Sequence, residues 1–239
     1  EILFRLSEER GLNPEMAISI ANLSGWPELE VRVGFAADMA SRNAERTKAA
    51  AKEKSRTDIF PSNDFPDTSR DYYNDTSKTS FDATALACDQ LSDSQINLLE
   101  LSTEVKVPPT HYVVLDRTLF YPEGGGQLGD QGQIGSSRVV DTRIEGDVIF
   151  HLTDSEVPLG QVSGEVSWER RSQLMDHHTA VHIVGGSSRA LLGPHIWQAG
   201  SSKGFRYARI DLTHHSRLSR EELDRIEDHA NSIIEANTP

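Results

Sequence analysis

Apolar residues are spaced in three different ways along the chain, and each spacing predicts a different kind of element. Over residues 1–57 they recur at helical spacing among good helix formers, which predicts a helical segment. Residues 57–80 are rich in Pro, Asn, Asp, Ser and Thr, so we place a domain boundary near residue 58. Between Phe81 and Val166, short β-type runs alternate with turn residues, a pattern typical of a small barrel or open sheet.

Helical spacing returns after Trp168. One helix is predicted from Arg170 through Leu192, followed by a strand over residues 207–212. A second helix should begin after Ser219, because Glu222 follows three residues later and this spacing is the signature of a capping box. Between the first helix and the strand, the polar-ended run around the Trp at position 197 favours a turn with a packed indole ring.

These elements place the chain in the α+β class. We expect a helical segment over residues 1–57, a small β-barrel over residues 58–168 and an α/β core over residues 169–239. The spacing of the short runs suits strands of a barrel, and the longer helical patterns lie at the two ends of the chain.

Composition narrows the classes of protein that these elements could form. The chain has 239 residues and a net charge of −13, which argues against a nucleic-acid binder held by overall basicity. Residues 168–220 nevertheless carry eight Lys or Arg against three acidic residues, enough for a local basic patch. No apolar run suits a membrane span, and the single cysteine, Cys88, cannot form an internal disulfide. We therefore expect a soluble, cytoplasmic protein.

The spacing of two histidines predicts half of a metal site. His178 and His182 are four residues apart within a predicted helix, so both imidazoles lie on one face and can converge on one ion. Two positions of a tetrahedral site remain to be filled. The alternative is that both are surface or satisfied buried histidines. Further histidines lack a spacing argument, namely His177, His195, His214 and His215.

A glycine-rich segment follows Thr118. Its three consecutive glycines, Gly124, Gly125 and Gly126, are costly in chain entropy, so either the backbone has positive φ there or another group approaches closely. Gln127 ends the run and can both donate and accept hydrogen bonds. Neither the dinucleotide-binding nor the phosphate-binding loop pattern is met, which leaves an ordinary glycine-rich turn as the alternative.

Three motifs together resemble one family. FYPEGGGQLGDQGQIG over residues 120–135, MDHHTAVHIV over residues 175–184 and LGPHIWQAGS over residues 192–201 are similar, in order and spacing, to the editing region of alanyl-tRNA synthetases. The run FPDTSRDYYND over residues 65–75 resembles the start of that region. Residues 1–57 resemble the end of the preceding tRNA-recognition helices, in an archaeal-type arrangement.

The resemblance implies a function and a cofactor. An editing domain hydrolyses tRNA(Ala) wrongly charged with serine or glycine, which a pocket built for alanine rejects too weakly by size alone. The implied fold is a translation-protein-like barrel followed by a zinc-dependent core that is incomplete at its C-terminus. His178 and His182 would be two Zn²⁺ ligands, and the other two, in a Cys-x-x-x-His motif, would lie beyond residue 239. ATP and Mg²⁺ would act only in a separate catalytic domain of the parent enzyme.

The resemblance also implies roles for individual residues. A zinc-bound water would attack the aminoacyl ester, Thr118 would hydrogen-bond the serine hydroxyl, and Gln127 would shape the amino-acid pocket. Substrate binding at the pocket and at the acceptor end of tRNA(Ala) is assigned to Gly124, Gly125, Gly126, Gln198, Arg170, Arg171, Arg206 and Arg209.

Two alternatives remain beside an editing region within a larger synthetase. One is a free-standing alanyl-tRNA editing hydrolase, although residues 1–57 have little purpose there. The other is a module that binds tRNA without catalysis, for which changes at Thr118 or Gln127 should leave deacylation unchanged. A homodimeric parent enzyme is left open, and no membrane partner is expected.

Overall fold

The computed structural model describes residues 59–237 and divides them between two compact units. The barrel unit contains residues 59–178 and Ser202–Ala208, and the second unit contains Thr179–Ser201 and residues 209–237. The predicted helical segment over residues 1–57 lies outside the described residues. Within the described part, no helix has the length and apolar character that crossing a membrane requires.

The described elements are mostly strands, and six of them, over residues 111–166, follow one another without an intervening helix. Two short 3₁₀ helices, Ser62–Asp64 and Asp71–Tyr73, precede the main sheet. The strands are β1 Ser69–Arg70, β2 Ser80–Gln90, β3 His111–Leu115, β4 Arg117–Thr118, β5 Gly132–Ile134, β6 Ser137–Glu145, β7 Val148–Thr153, β8 Gly160–Val166, β9 Gln198–Lys203 and β10 Ala208–Leu212. The α-helices are α1 Asp93–Leu98, α2 Trp168–Leu192 and α3 Arg220–Glu235.

Six of the strands close into a barrel with the order β2-β3-β7-β6-β5-β8. All neighbouring pairs in this barrel are antiparallel, including β8 with β2, which completes the ring. Closure leaves no unpaired sheet edge among these six strands. The mixture of helices with a large antiparallel sheet agrees with the predicted α+β class.

Strand β3 carries buried apolar residues on both of its faces. Val113 and Leu115 belong to one buried cluster, whereas the alternating residues Tyr112 and Val114 belong to another. Alternate residues of a strand face opposite sides, so β3 is covered on both faces. The second cluster includes Phe60, whose ring stacks on that of Phe150 at 4.4 Å between centroids.

The second unit contains the predicted capping box. Ser219 Oγ accepts a hydrogen bond from the Glu222 backbone N–H at 3.2 Å, and the Glu222 carboxylate accepts one from the Ser219 backbone N–H at 2.7 Å. Both donors at the start of α3 are thereby satisfied, which confirms the prediction. The predicted strand over residues 207–212 is confirmed as β10.

The segment around residue 197 differs from its prediction as a turn with a packed indole ring. It continues into strand β9, which pairs with β10. The Trp197 side chain is half exposed, and the Arg189 guanidinium lies over its ring at 4.0 Å from the centroid. The sequence pattern did not predict β9 because its side chains are mostly small or polar. The strand is recognised by its backbone pairing with β10.

Candidate functional site

The glycine run forms a tight turn in the barrel unit. Gly124 and Gln127 exchange two backbone hydrogen bonds, of 3.1 and 3.0 Å, across the turn. The two residues between them, Gly125 and Gly126, have φ values of 59° and 77°, as a type I′ turn requires. Positive φ therefore accounts for two of the three glycines, in agreement with one of the two explanations offered by the sequence.

Lys203 holds this turn from one side. Its backbone N–H donates to the Gly126 carbonyl at 2.7 Å, and its carbonyl accepts from the Leu128 N–H at 3.2 Å. Its side-chain Nζ donates to the Gly125 carbonyl at 2.7 Å. The side chain is buried, and this desolvation lowers the pKa of the ammonium group. Sequence reasoning counted Lys203 only as part of a basic patch.

His178 meets the turn through Gln127. The Gln127 side chain is buried, and its Oε1 accepts a hydrogen bond from His178 Nδ1 at 2.8 Å. An amide oxygen can only accept, so Nδ1 carries the proton and Nε2 carries the lone pair of the imidazole. This is the tautomer in which a histidine binds a metal through Nε2. The glycine turn and the first histidine of the predicted pair therefore meet at one place.

A cavity of about 170 Å³ lies beside this contact. Its lining consists of Tyr72, Tyr73, Thr76, Tyr121, Gln127, Arg171, Met175 and His178. Tyr72 is buried and packs against both other tyrosines, with ring centroids 4.6 and 5.3 Å away. Burial raises the pKa of the Tyr72 phenol, which stays protonated at neutral pH. The cavity thus has a largely aromatic wall and a polar end.

The sequence patterns did not indicate the three tyrosines of the cavity as site residues. Tyr72 and Tyr73 fall within residues 65–75, the run used only to recognise the start of the region. Tyr73 is 71% exposed, unusual for a large aromatic side chain beside a cavity. Two adjacent aromatic residues within a polar run were the available indication.

Arg171 lines the cavity and is paired with the buried carboxylate of Asp130. Its Nε lies 3.1 Å from Asp130 Oδ2, and one of its terminal amino groups makes short hydrogen bonds to the same oxygen and to the Leu119 carbonyl. Burial raises the pKa of the Asp130 carboxyl, opposed by the Arg171 charge and hydrogen bonds. The other oxygen, Asp130 Oδ1, is buried and has no hydrogen-bond partner among the described residues.

Arg170 is also engaged inside the barrel unit. Its Nε donates to the Gly129 carbonyl at 3.1 Å, and another nitrogen pairs with the Glu104 carboxylate at 3.1 Å. Glu104 also accepts from the Phe205 N–H at 2.9 Å. Burial would raise the Glu104 pKa, but these donors bring the pKa below its usual value. Phosphate binding by Arg170 or Arg171 would require such pairs to open, because both side chains are buried.

Thr118 is buried and committed within the barrel. Its hydroxyl lies 2.8 Å from His151 Nε2 and accepts from the Phe120 N–H at 3.0 Å. His151 Nδ1 lies 3.1 Å from the Val113 carbonyl, which must accept, so Nε2 accepts from the Thr118 hydroxyl. Complete burial lowers the pKa of His151 to about 4. A substrate hydroxyl would have to displace one of these contacts.

The remaining predicted residues lie at exposed positions. Arg206 is exposed in the barrel unit, where it shares a groove of about 630 Å³ with exposed Lys106 and Arg138. Gln198 and Arg209 are exposed in the second unit, where Arg209 pairs with Asp211 at 3.2 Å. These cations, unlike Arg170 and Arg171, are accessible to a phosphate group.

Two groups of histidines could hold a metal. His182 lies four residues after His178 on α2 and is exposed, so the predicted half-site spacing is present. In the second unit, His195, His214 and His215 have nitrogens that all lie within 4.8 Å of one another. Burial and repulsion from the two neighbouring imidazoles lower the pKa of His214. Sequence reasoning had no spacing argument for this group.

Comparison with known proteins gives consistent matches. The family model described as tRNA synthetases class II (A) matches residues 1–170. The alanine–tRNA ligase of Pyrobaculum neutrophilum is 38% identical over 243 residues, covering 99% of this chain and 25% of that protein. Those of Metallosphaera sedula and Halorubrum lacusprofundi are each 35% identical, covering all of this chain and 25% and 24% of the relatives. The chain thus spans about a quarter of the length of the curated relatives it matches.

Proposed function

The chain belongs to the class II (A) tRNA synthetases, and from that premise we propose that it is the editing region of an archaeal-type alanine–tRNA ligase. Its reaction is the hydrolysis of tRNA(Ala) esterified with serine or glycine. The parent enzyme attaches alanine to tRNA(Ala) with ATP and Mg²⁺ in another part of its chain and acts in the cytoplasm. This section of the enzyme corrects the errors of that step.

The hydrogen bond between Gln127 and His178 is the observation that carries the proposal. It joins the glycine-rich motif to the histidine motif, although the two are 51 residues apart in sequence. It also selects the tautomer of His178 that suits a metal ligand. An ordinary glycine-rich turn would not need a buried glutamine aimed at a histidine on a neighbouring helix.

The size of the cavity supports a small amino acid as the substrate. Its volume of about 170 Å³ is that of about five or six water molecules in the liquid. A seryl or glycyl group fits such a space, and the aromatic wall formed by Tyr72, Tyr73 and Tyr121 limits longer side chains. A Cβ at Gly125 would lie 3.8 Å from His178 Cε1, so the glycine keeps the space beside that imidazole open.

His178 and His182 would hold a Zn²⁺ ion, with further ligands from outside the described residues. The ion, when bound, would polarise the ester carbonyl or a water molecule. Gln127 orients His178 for this role, and Lys203 keeps the turn that carries Gln127 in place. Thr118 is proposed to recognise the serine hydroxyl, which requires its bond to His151 to be exchanged.

The tRNA acceptor end is proposed to bind through exposed cations. Arg206 shares its groove with Lys106 and Arg138, so three positive charges face solvent along one surface of the barrel unit. Arg209 and Gln198 are candidates for contacts on the second unit. Arg170 and Arg171 contribute differently, because their buried pairs fix the start of α2 against the barrel.

Deacylation of Ser-tRNA(Ala) by the intact protein, supplied with zinc, tests the proposal. Gln127→Leu removes the acceptor for His178 Nδ1 and should lower kcat/KM by about 10- to 100-fold. Gln127→Glu retains an acceptor and should lose much less. Gln161→Leu, at an exposed position on the barrel, is the matched control and should have no effect.

The same assay separates the alternatives. A non-catalytic tRNA-binding module predicts no hydrolysis above buffer with zinc present, and equal tRNA binding by all three variants. A free-standing editing hydrolase predicts full activity without any attached aminoacylation domain. Equal deacylation rates for Gln127→Leu and the unsubstituted protein would refute the proposed role of the Gln127 contact.

A further inference from the structure

We propose that His195, His214 and His215 form a second metal site, which binds a borderline divalent cation of the Zn²⁺ type. The three residues belong to the second unit and are not part of the His178 motif. Their ligand nitrogens lie within 4.8 Å of one another, close enough for one ion to reach all three after small side-chain rotations.

The distances show how much movement an ion would require. His195 Nε2 and His214 Nδ1 are 2.8 Å apart and share a hydrogen bond. Two nitrogens that each bind a tetrahedral zinc at about 2.0–2.1 Å are about 3.3 Å apart. The pair must therefore open by about 0.5 Å while His215 moves inward. His195 is buried, but His214 is half-buried and His215 is exposed, so the two outer rings have room to rotate.

The three rings pack closely against one another. The centroids of His195 and His214 are 5.1 Å apart, with only 21° between their planes. His215 lies 4.4 Å from the His214 ring and 5.6 Å from the His195 ring, tilted by 48° to both. Three imidazoles gathered in this way repel one another when protonated, whereas a shared cation would convert their lone pairs into bonds.

Thr213 fixes the backbone of the two segments that carry the histidines. Its hydroxyl donates to the His195 carbonyl at 2.7 Å and accepts from the Trp197 N–H at 2.8 Å. Its own N–H donates to the Trp197 carbonyl at 2.9 Å. Thr213, next to His214 in sequence, is thus held to the His195 segment by contacts that do not involve the imidazoles. A preformed backbone lowers the entropic cost of metal binding.

The segment before Trp197 is held from the helix side as well. One terminal nitrogen of Arg189 donates to the carbonyls of Pro194 and Ile196, at 2.6 and 2.8 Å. Gly193 has a φ of 116°, and a Cβ there would lie only 3.3 Å from His195 Nδ1. The turn therefore places the buried imidazole closely, with Nδ1 against Gly193 and Nε2 towards His214.

The ligand set indicates the class of metal. Three imidazoles without a carboxylate suit Zn²⁺, Co²⁺, Ni²⁺ or Cu²⁺, whereas Mg²⁺ and Ca²⁺ require oxygen ligands. Three protein ligands leave a fourth position for water. The ion would link two segments 19 residues apart in sequence, so it would brace the loop after α2 against the one after β10.

Metal titration of the full chain tests the site. After treatment with a chelator, the protein is titrated with Co²⁺, followed by its visible absorption, and with Zn²⁺, followed by calorimetry. His215→Ala removes an exposed ligand with little risk to folding, and should weaken binding at this site at least tenfold. His214→Ala should abolish it. His111→Ala changes a histidine outside both groups and should bind the metal as tightly as the unsubstituted protein does.

A second pair of variants separates this site from the one on α2. A double change, His178→Ala with His182→Ala, should leave the His195 site intact, with the Co²⁺ spectrum still lost on adding His214→Ala. Side-chain ¹⁵N signals of the three histidines should shift on adding Zn²⁺ and not on adding Mg²⁺. Unchanged Zn²⁺ affinity in His214→Ala and His215→Ala, with no shift of those signals, would overturn the proposal and leave a metal-free histidine cluster.

Discussion

Replacing Thr118 with valine separates a structural from a catalytic role for its hydroxyl group. Valine keeps the shape of threonine, but removes the donor to His151 Nε2 and the acceptor for the Phe120 N–H. All three groups are buried, so water cannot replace the lost partners. Each unsatisfied buried group costs about 1–3 kcal/mol, and we expect Thr118→Val to lower the free energy of unfolding by about 2–4 kcal/mol. Thr118→Ser keeps the hydroxyl and should cost only about 1 kcal/mol for the lost methyl group.

The pH dependence of stability gives an independent check on the buried contact between Thr118 and His151. The pKa of His151 is about 4 in the folded protein, against an ordinary value of 6.5. Between these values the unfolded chain binds a proton that the folded chain does not, so stability falls as pH decreases from 6.5 towards 4. The full effect of such a shift is about 3 kcal/mol. His151→Gln should remove this part of the acid sensitivity.

Urea unfolding at pH 7.5 and at pH 5, followed by circular dichroism, measures both effects. Equal stability of Thr118→Val and Thr118→Ser would refute the assignment of the hydroxyl as a buried bridge. Deacylation of Ser-tRNA(Ala) then gives the functional half of the comparison. If Thr118→Val is still folded at the assay temperature but no longer hydrolyses the seryl ester, while Thr118→Ser remains active, the Thr118 hydroxyl also acts on the substrate.

Two further changes test the glycine turn and the ion pair between Arg171 and Asp130. Gly125→Ala forces a side chain into positive φ and should lower the free energy of unfolding by about 1–2 kcal/mol. Gly124→Ala is the matched control, because a Cβ there would meet no atom closer than 3.8 Å. Equal melting curves for the two variants would contradict the turn assignment. Arg171→Met leaves the Asp130 carboxyl buried without its cation and should cost about 3–5 kcal/mol. Adding Asp130→Asn should recover part of that loss in chemical denaturation, and no recovery would show that the two groups are not coupled.

Local features were predictable because their partners are close in sequence. The capping box of Ser219 and Glu222 needs only a three-residue spacing, and the short β-type runs of the barrel are marked by the turn residues that separate them. The positive φ at Gly125 follows from a chain-entropy argument about consecutive glycines. In each case the physical requirement and the residue that meets it lie in the same segment.

Features that depend on distant partners were not predictable in the same way. Arg170 and Arg171 looked like accessible cations, but their carboxylate partners, Glu104 and Asp130, are 66 and 41 residues away. Lys203 looked like part of a basic surface, whereas it is buried against the glycine turn. A charge can be assigned to the surface from sequence only when its partner is also known.

The arrangement around the glycine turn explains how three flexible residues can serve a site that needs fixed geometry. The carbonyls of Gly125 and Gly126 are both bound by Lys203, through its side chain and its backbone respectively. Gln127, the next residue, is therefore presented to His178 at a defined position. Lys203, which holds the turn, is 76 positions away from Gln127 in sequence. The conformational freedom that glycine would lose is removed by these contacts before any substrate binds, so binding energy remains for the transition state. Lys203 thus belongs to the candidate site as much as the motifs that revealed it.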